Sequence, residues 1–65
     1  MPALNSSAIS YVDYDDASQV LYVTFRGSGR TYPQYGVPLD VYYGLINAPS
    51  PDGFYNAFIR GKYRG

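Results

Sequence analysis

The sequence predicts an α+β fold, in which a three-stranded antiparallel sheet is followed by two short helices packed on one face. Apolar residues alternate with a period of two in the first half of the chain and recur at helical spacing after Val37. A chain of 65 residues has room for one domain, so we assign residues 1–65 to a single unit. Helices that follow the strands cover one face of the sheet, and we expect the other face to meet water or a partner.

The first two strands are predicted from β-forming residues on either side of a polar turn. Residues 8–14 form the first strand and residues 19–26 the second. In the second strand, one face is predicted to hold Leu21, Val23 and Phe25. The Asp and Ser side chains of residues 15–18 bond to turn backbone groups, so the two strands are expected to form a hairpin.

The third strand, residues 30–36, follows a turn formed by residues 27–29. Pro33 within it has no amide hydrogen to donate to a neighbouring strand. We therefore expect this strand to lie at an edge of the sheet.

The pairing register of the third strand stays open between two alternatives. A two-residue turn at Ser28-Gly29 places Tyr32 inside against Phe25 and leaves Tyr35 outside. A three-residue turn with a bulge lets Tyr32 point outward instead. Gln34 has the same parity as Tyr32, and because glutamine is rarely buried, this residue favours an outward Tyr32.

Two helices are predicted after the strands. Pro38 lies in the first turn of one helix, which ends at Asn47-Ala48-Pro49. Ser50 is the N-cap of the other, which Gly61 ends. The predicted buried faces are Val41, Tyr42, Leu45 and Ile46 in the first helix, and Phe54, Tyr55, Phe58 and Ile59 in the second.

The composition argues against several classes of protein. The chain contains no cysteine or histidine, which excludes disulfides and the common zinc sites. With no glutamate either, it lacks the usual general bases and thiol nucleophiles, so we expect no enzymatic activity. No metal site and no cofactor are predicted. Nine tyrosines and three phenylalanines supply the aromatic core that such a short chain needs.

Charge and hydropathy predict a cytoplasmic protein with no membrane partner. The formal net charge is zero, which argues against a purely electrostatic hold on nucleic acid or anionic lipid. The charges are nonetheless unevenly distributed, because every charged residue before Arg26 is acidic. The N-terminus has no secretory signal pattern, and the longest apolar stretch, residues 41–46, is far too short to span a bilayer.

The chain also resembles the KTSC domain, a family named after a C-terminal extension of some lysyl-tRNA synthetases that also occurs as free-standing bacterial and phage proteins. The ordered motifs that carry the resemblance are Ser6-Ser7-x-Ile9, Tyr14-Asp15, Leu21-x-Val23-x-Phe25, Tyr32, Val37-Pro38, Tyr42, Leu45, Ala48, Ser50, Phe54-Tyr55-Asn56-x-x-Ile59-Arg60 and Tyr63. They cover nearly the whole chain. One departure is Gln34, which stands where the family pattern has a second tyrosine two residues after Tyr32.

The resemblance implies a binding module, for which RNA has been suggested because of the attachment to a synthetase. Aromatic and basic side chains are the expected contacts, since rings stack on unpaired bases and arginine binds phosphate. Tyr22, Arg26, Arg30 and Tyr32 are candidates to share one sheet face. The full candidate nucleic-acid site is Tyr22, Arg26, Arg30, Tyr32, Tyr35, Asn56, Arg60, Lys62, Tyr63 and Arg64.

Two alternatives to this nucleic-acid site remain open. Most of the tyrosines are explained as core residues, which a domain of this size needs. The same exposed aromatic face also suits a protein–protein or self-associating interface, in which tyrosine and arginine are the usual anchors. The partner classes predicted are therefore RNA, either tRNA or a single strand, and protein.

Overall fold

A computed structural model describes residues 8–64 and has the predicted architecture. Three antiparallel strands form one sheet in the order β1-β2-β3, and helical segments follow them. The predictions for Ser6, Ser7 and the N-terminal segment lie outside the described residues. The elements are β1 (Ile9–Asp15), β2 (Val20–Phe25), β3 (Thr31–Tyr35), α1 (Leu39–Asn47) and α2 (Pro51–Phe54), and α2 continues into a π-helical segment (Tyr55–Ile59).

Both hairpins close through four-residue turns that end in a left-handed residue. In the second turn, the Phe25 amide donates to the Arg30 carbonyl (3.0 Å) and the Gly29 amide donates to the Phe25 carbonyl (2.8 Å). Gly29 has a φ of 70°, which glycine adopts at no steric cost. Gln19 holds the corresponding position in the first turn with a φ of 57°, where a side chain is unfavourable.

The register of β3 gives the side-chain faces of the two-residue-turn alternative, but with a different turn. Leu21 pairs with Gln34, and Val23 pairs with Tyr32. The turn is longer than either alternative, but Tyr32 lies on the same face as Phe25, as the two-residue turn required. The argument from Gln34 was wrong, because this glutamine is only 8% exposed on the helix-covered face.

The edge position predicted for β3 from Pro33 is confirmed by the strand order. Just beyond Pro33, the Tyr35 amide points away from β2 and donates to the Arg64 carbonyl (2.7 Å). Arg64 thus forms an isolated bridge beside β3. Because outward amides alternate along an edge strand, the missing amide hydrogen of Pro33 costs no ladder bond.

The core lies between the sheet and the helices. Leu45 of α1, together with Tyr55 and Ile59 of the π-helical segment, packs on the buried strand residues of one sheet face. The N-cap predicted at Ser50 is confirmed, since its hydroxyl accepts from the Gly53 amide (3.3 Å). At the contact between α1 and α2, an added Cβ on Gly44 would come within 2.7 Å of the Phe54 ring.

One predicted core residue, Phe58, is instead 59% exposed. The reason is the π-helical turn, in which the Arg60 amide donates to the carbonyl of Tyr55, five residues earlier (2.8 Å). This wider turn keeps Tyr55 and Ile59 on the buried face. Phe58 lies outside the core against the ring of Phe54, at a centroid distance of 4.8 Å.

Candidate functional site

A groove of about 660 Å³ lies between the β2–β3 hairpin and the π-helical segment. Its size falls within the range of small-molecule sites. Its lining residues divide into aromatic and polar groups. They include the rings of Phe25, Tyr32 and Tyr55 and the polar side chains of Ser28, Gln34, Asn56 and Arg60.

The aromatic wall of the groove is built around Phe25. The ring of Tyr32 meets it edge-on at a centroid distance of 5.5 Å, and Tyr55 does the same from the other side at 5.6 Å. Edge-to-face contacts at these distances are favourable and hold the rings in place. Tyr32 is 43% exposed, so part of its ring remains available to a ligand.

Two mostly buried polar residues line this groove. Gln34 and Tyr55 are both only 8% exposed, yet neither the amide nor the hydroxyl has a hydrogen-bond partner within residues 8–64. In the same part of the chain, no fully buried side-chain nitrogen or oxygen is left unsatisfied, so the amide and the hydroxyl are accessible to solvent, and both residues line the groove. Both groups can therefore exchange bound water for a ligand that enters the groove.

The π-helical segment positions the remaining polar groups. Its wide turn carries Asn56 to the groove beside Tyr55, and Arg60 follows at the end of the segment. Both of these side chains are exposed. Burial raises the pKa of Tyr55, while the positive charge of Arg60 acts in the opposite direction. The Arg60 guanidinium therefore contributes a positive potential at the groove.

The structure gathers only part of the candidate nucleic-acid site into this groove. Tyr32, Asn56 and Arg60 line it together. Tyr22 and Tyr35 belong to the opposite, uncovered face of the sheet, since their pairing positions alternate with those of Tyr32. The expectation that Tyr22 and Tyr32 share one face of the sheet is therefore wrong.

The other candidates lie around the groove or beyond it. Arg26 lies within the β2–β3 turn, and Arg30 is the first residue after this turn. Lys62 is exposed after the π-helical segment, whereas Tyr63 is partly buried against the core. Arg64 is bridged to Tyr35 and shares its face.

Sequence reasoning missed Gln34 and Tyr55 as site residues. Gln34 was recognised as a departure from the family pattern, and its parity with Tyr32 was the available signal. The helical spacing of Tyr55 and Ile59 predicts only that Tyr55 is a core residue. It does not predict that Tyr55 also lines a groove.

The uncovered face of the sheet is aromatic and, along β1, acidic. Tyr11, Tyr22 and Tyr35 are each between 37% and 47% exposed there. Asp13 and Asp15 lie on the same face of β1. This face therefore differs in charge from the groove on the other side of the sheet.

Comparisons with known proteins agree with the ordered motifs. The model of the KTSC domain family matches residues 5–63. A protein of Tsukamurella paurometabola is 39% identical over 64 residues, which are 98% of this chain and 94% of that protein. In the crystal structure of a KTSC domain protein from Yersinia pestis, the fold matches with a TM-score of 0.91 and 32% identity, over 97% of this chain and 87% of that one.

A longer relative is a lysine–tRNA ligase of Nostoc punctiforme. It is 38% identical over 58 residues, which are 89% of this chain but 10% of the ligase. The similarity is therefore confined to a small part of that enzyme. Within residues 8–64, no helix is long and apolar enough to cross a membrane.

Proposed function

This chain belongs to the KTSC domain family, and we propose that it is a non-catalytic module that binds RNA at an unpaired base. The observation that carries the proposal is the groove beside Tyr32. It combines a partly exposed aromatic ring, two mostly buried polar side chains that have no hydrogen-bond partner within residues 8–64, and a nearby guanidinium.

The groove chemistry fits a nucleotide better than an apolar ligand. An unstacked base can stack on Tyr32, a contact that contributes about 1–3 kcal/mol in comparable single-strand sites. The amide of Gln34 offers a donor and an acceptor to the edge of a base, and the exposed amide of Asn56 offers the same to the sugar and phosphate. Arg60 offers a fork of donors that matches a phosphate group.

The charge distribution supports the same assignment. Asp13 and Asp15 belong to the uncovered face, where they would repel a phosphate backbone. Arg60 lines the groove at the end of the π-helical segment. A chain with zero net charge can still bind RNA locally where a cation such as Arg60 lies on the opposite side of the sheet from Asp13 and Asp15.

The ligase relatives add an indirect argument. A lysine–tRNA ligase has tRNA as a substrate by its name, and the part of it that this chain resembles is one tenth of its length. An accessory RNA contact is a role that such a segment can fill without catalytic residues. The absence of histidine, cysteine and glutamate from the sequence is in keeping with a binding role.

The test is a titration of labelled protein with single-stranded RNA and with tRNA, followed by amide NMR at two salt concentrations. We expect shifts around Tyr32, Gln34 and Asn56 that shrink as salt rises. Arg60→Gln should weaken binding and lower the salt slope by about 0.7 for each phosphate that the protein no longer neutralises. Lys62→Gln removes the same charge without removing a groove residue and is the matched control.

Two results would contradict the proposal. One is an unchanged spectrum with both RNAs at low salt. The other is a set of shifts confined to the uncovered face around Tyr22, with Arg60→Gln and Lys62→Gln behaving alike.

Self-association is a second candidate function, favoured by the three half-exposed tyrosines of the uncovered face. Two copies related by a twofold axis along the strands would bring Asp13 and Asp15 of one copy over Arg64 of the other. Sedimentation velocity across a range of concentrations tests this, with Tyr22→Ser as the variant expected to abolish association. A monomer at millimolar concentration would reject it.

A further inference from the structure

We infer that the groove accepts one nucleotide unit, a single unstacked base with its adjoining phosphate, and does not track several successive bases. This inference rests on the proposed function and narrows it. The sequence alone allowed several tyrosines to line one platform, whereas the register of β3 separates them onto two faces.

The number of available rings sets the number of bases. Among residues 8–64, six aromatic side chains are largely exposed. Three of them, Tyr11, Tyr22 and Tyr35, share the uncovered face of the sheet. Tyr43 lies on α1 and Phe58 lies against Phe54, so neither lines the groove. Tyr32 is therefore the exposed ring that the groove offers, and one ring can stack on one base.

The polar groups are also arranged for one unit. Gln34 and Tyr55 are each only 8% exposed and line the groove, so a group that enters the groove lies next to both side chains. Between them they offer both donors and acceptors, as the edge of a base requires. Asn56 and Arg60 line the same groove and are exposed, which suits the sugar and phosphate that stay nearer to water.

This arrangement predicts recognition of an isolated base in a loop, a bulge or a strand end. A paired base inside a helix cannot present its face to Tyr32 without leaving its stack. The ligand class is thus a nucleoside monophosphate or its equivalent within an unpaired segment of RNA.

The experiment is an amide NMR titration with the nucleoside 5′-monophosphates, with the nucleosides that lack phosphate, with inorganic phosphate and with a single-stranded RNA. We expect the monophosphates to shift the amides of Tyr32, Gln34 and Asn56. Nucleosides should shift the same residues at higher concentrations, because they have no phosphate for Arg60 to bind. Inorganic phosphate should leave Gln34 unchanged.

Two variants separate the groove from the rest of the aromatic surface. Tyr32→Leu should weaken monophosphate binding roughly 5- to 150-fold, the range that corresponds to removal of one base stack. Tyr22→Leu removes a tyrosine of similar exposure, 37% against 43%, from the opposite face and should leave binding unchanged. Thermal unfolding of both variants checks that they fold.

Each other result overturns the inference in a distinct way. If inorganic phosphate reproduces the shifts, the groove is an anion site that does not read a base. If the RNA binds but the monophosphates do not, RNA binding stands and the one-base site fails. If neither binds, the proposed function fails as well.

Discussion

Replacing Gln34 by methionine should stabilise the fold and at the same time weaken nucleotide binding. The side chain is 8% exposed, faces the core side of the sheet and pairs across the strands with fully buried Leu21. Its amide has no hydrogen-bond partner within residues 8–64. A residue kept for binding at the expense of stability is expected to behave in this way.

The magnitude follows from the environment of the amide. Burying an amide without a partner costs about 1–3 kcal/mol in protein mutational data. Because the Gln34 amide is accessible to solvent, we take the lower end, about 1 kcal/mol. Methionine is also unbranched and adapts to irregular gaps, so it should fill the same space without strain.

Thermal and urea unfolding followed by circular dichroism measure the effect. A gain of about 1 kcal/mol should raise Tm by roughly 4–8 °C in a domain of this size. The control is Gln19→Met, which changes the other glutamine of the sequence at an exposed turn position and should stay within about 0.5 kcal/mol. A destabilisation of more than about 1 kcal/mol for Gln34→Met would refute the reasoning, because it would mean that the amide is bonded within the fold.

Three further predictions concern stability. Gln19→Gly should stabilise the domain by roughly 0.5–1 kcal/mol in urea unfolding, because it relieves a φ of 57°; a decrease in stability would contradict this. Ser50→Ala should cost about 1 kcal/mol by removing the cap on the Gly53 amide, and Ser18→Ala, at an exposed turn position, is the control that should cost almost nothing. The Tyr14 hydroxyl donates to the Val37 carbonyl (2.5 Å). Burial raises the pKa of Tyr14, and the negative charges of Asp16, Asp40 and Asp15 raise it further. The stability that Tyr14 contributes should therefore be present below pH 10 and disappear as pH rises through the raised pKa. In urea unfolding, Tyr14→Phe should be less stable than the parent below pH 10 and should lose less stability at alkaline pH.

The local features of this protein were determined by its sequence alone. The change from period-two to helical spacing located the strands and helices to within about two residues. Pro33 identified the edge strand and Ser50 the N-cap, because each residue type has one chemical property that decides its place. The ordered motifs were sufficient to identify the family.

The tertiary structure alone decided which side chains form the site. A shift of one residue in pairing moves every side chain of a strand to the opposite face of the sheet. The faces on which Tyr32 and Gln34 lie therefore depended on the length of a turn that the sequence left open. The groove joins β3 to a segment that begins at Tyr55, and no local pattern reports a contact across that distance in the chain. The sequence predicts ordinary helical spacing here, whereas the π-helical turn sets Asn56 and Arg60 beside the groove and leaves Phe58 outside the core.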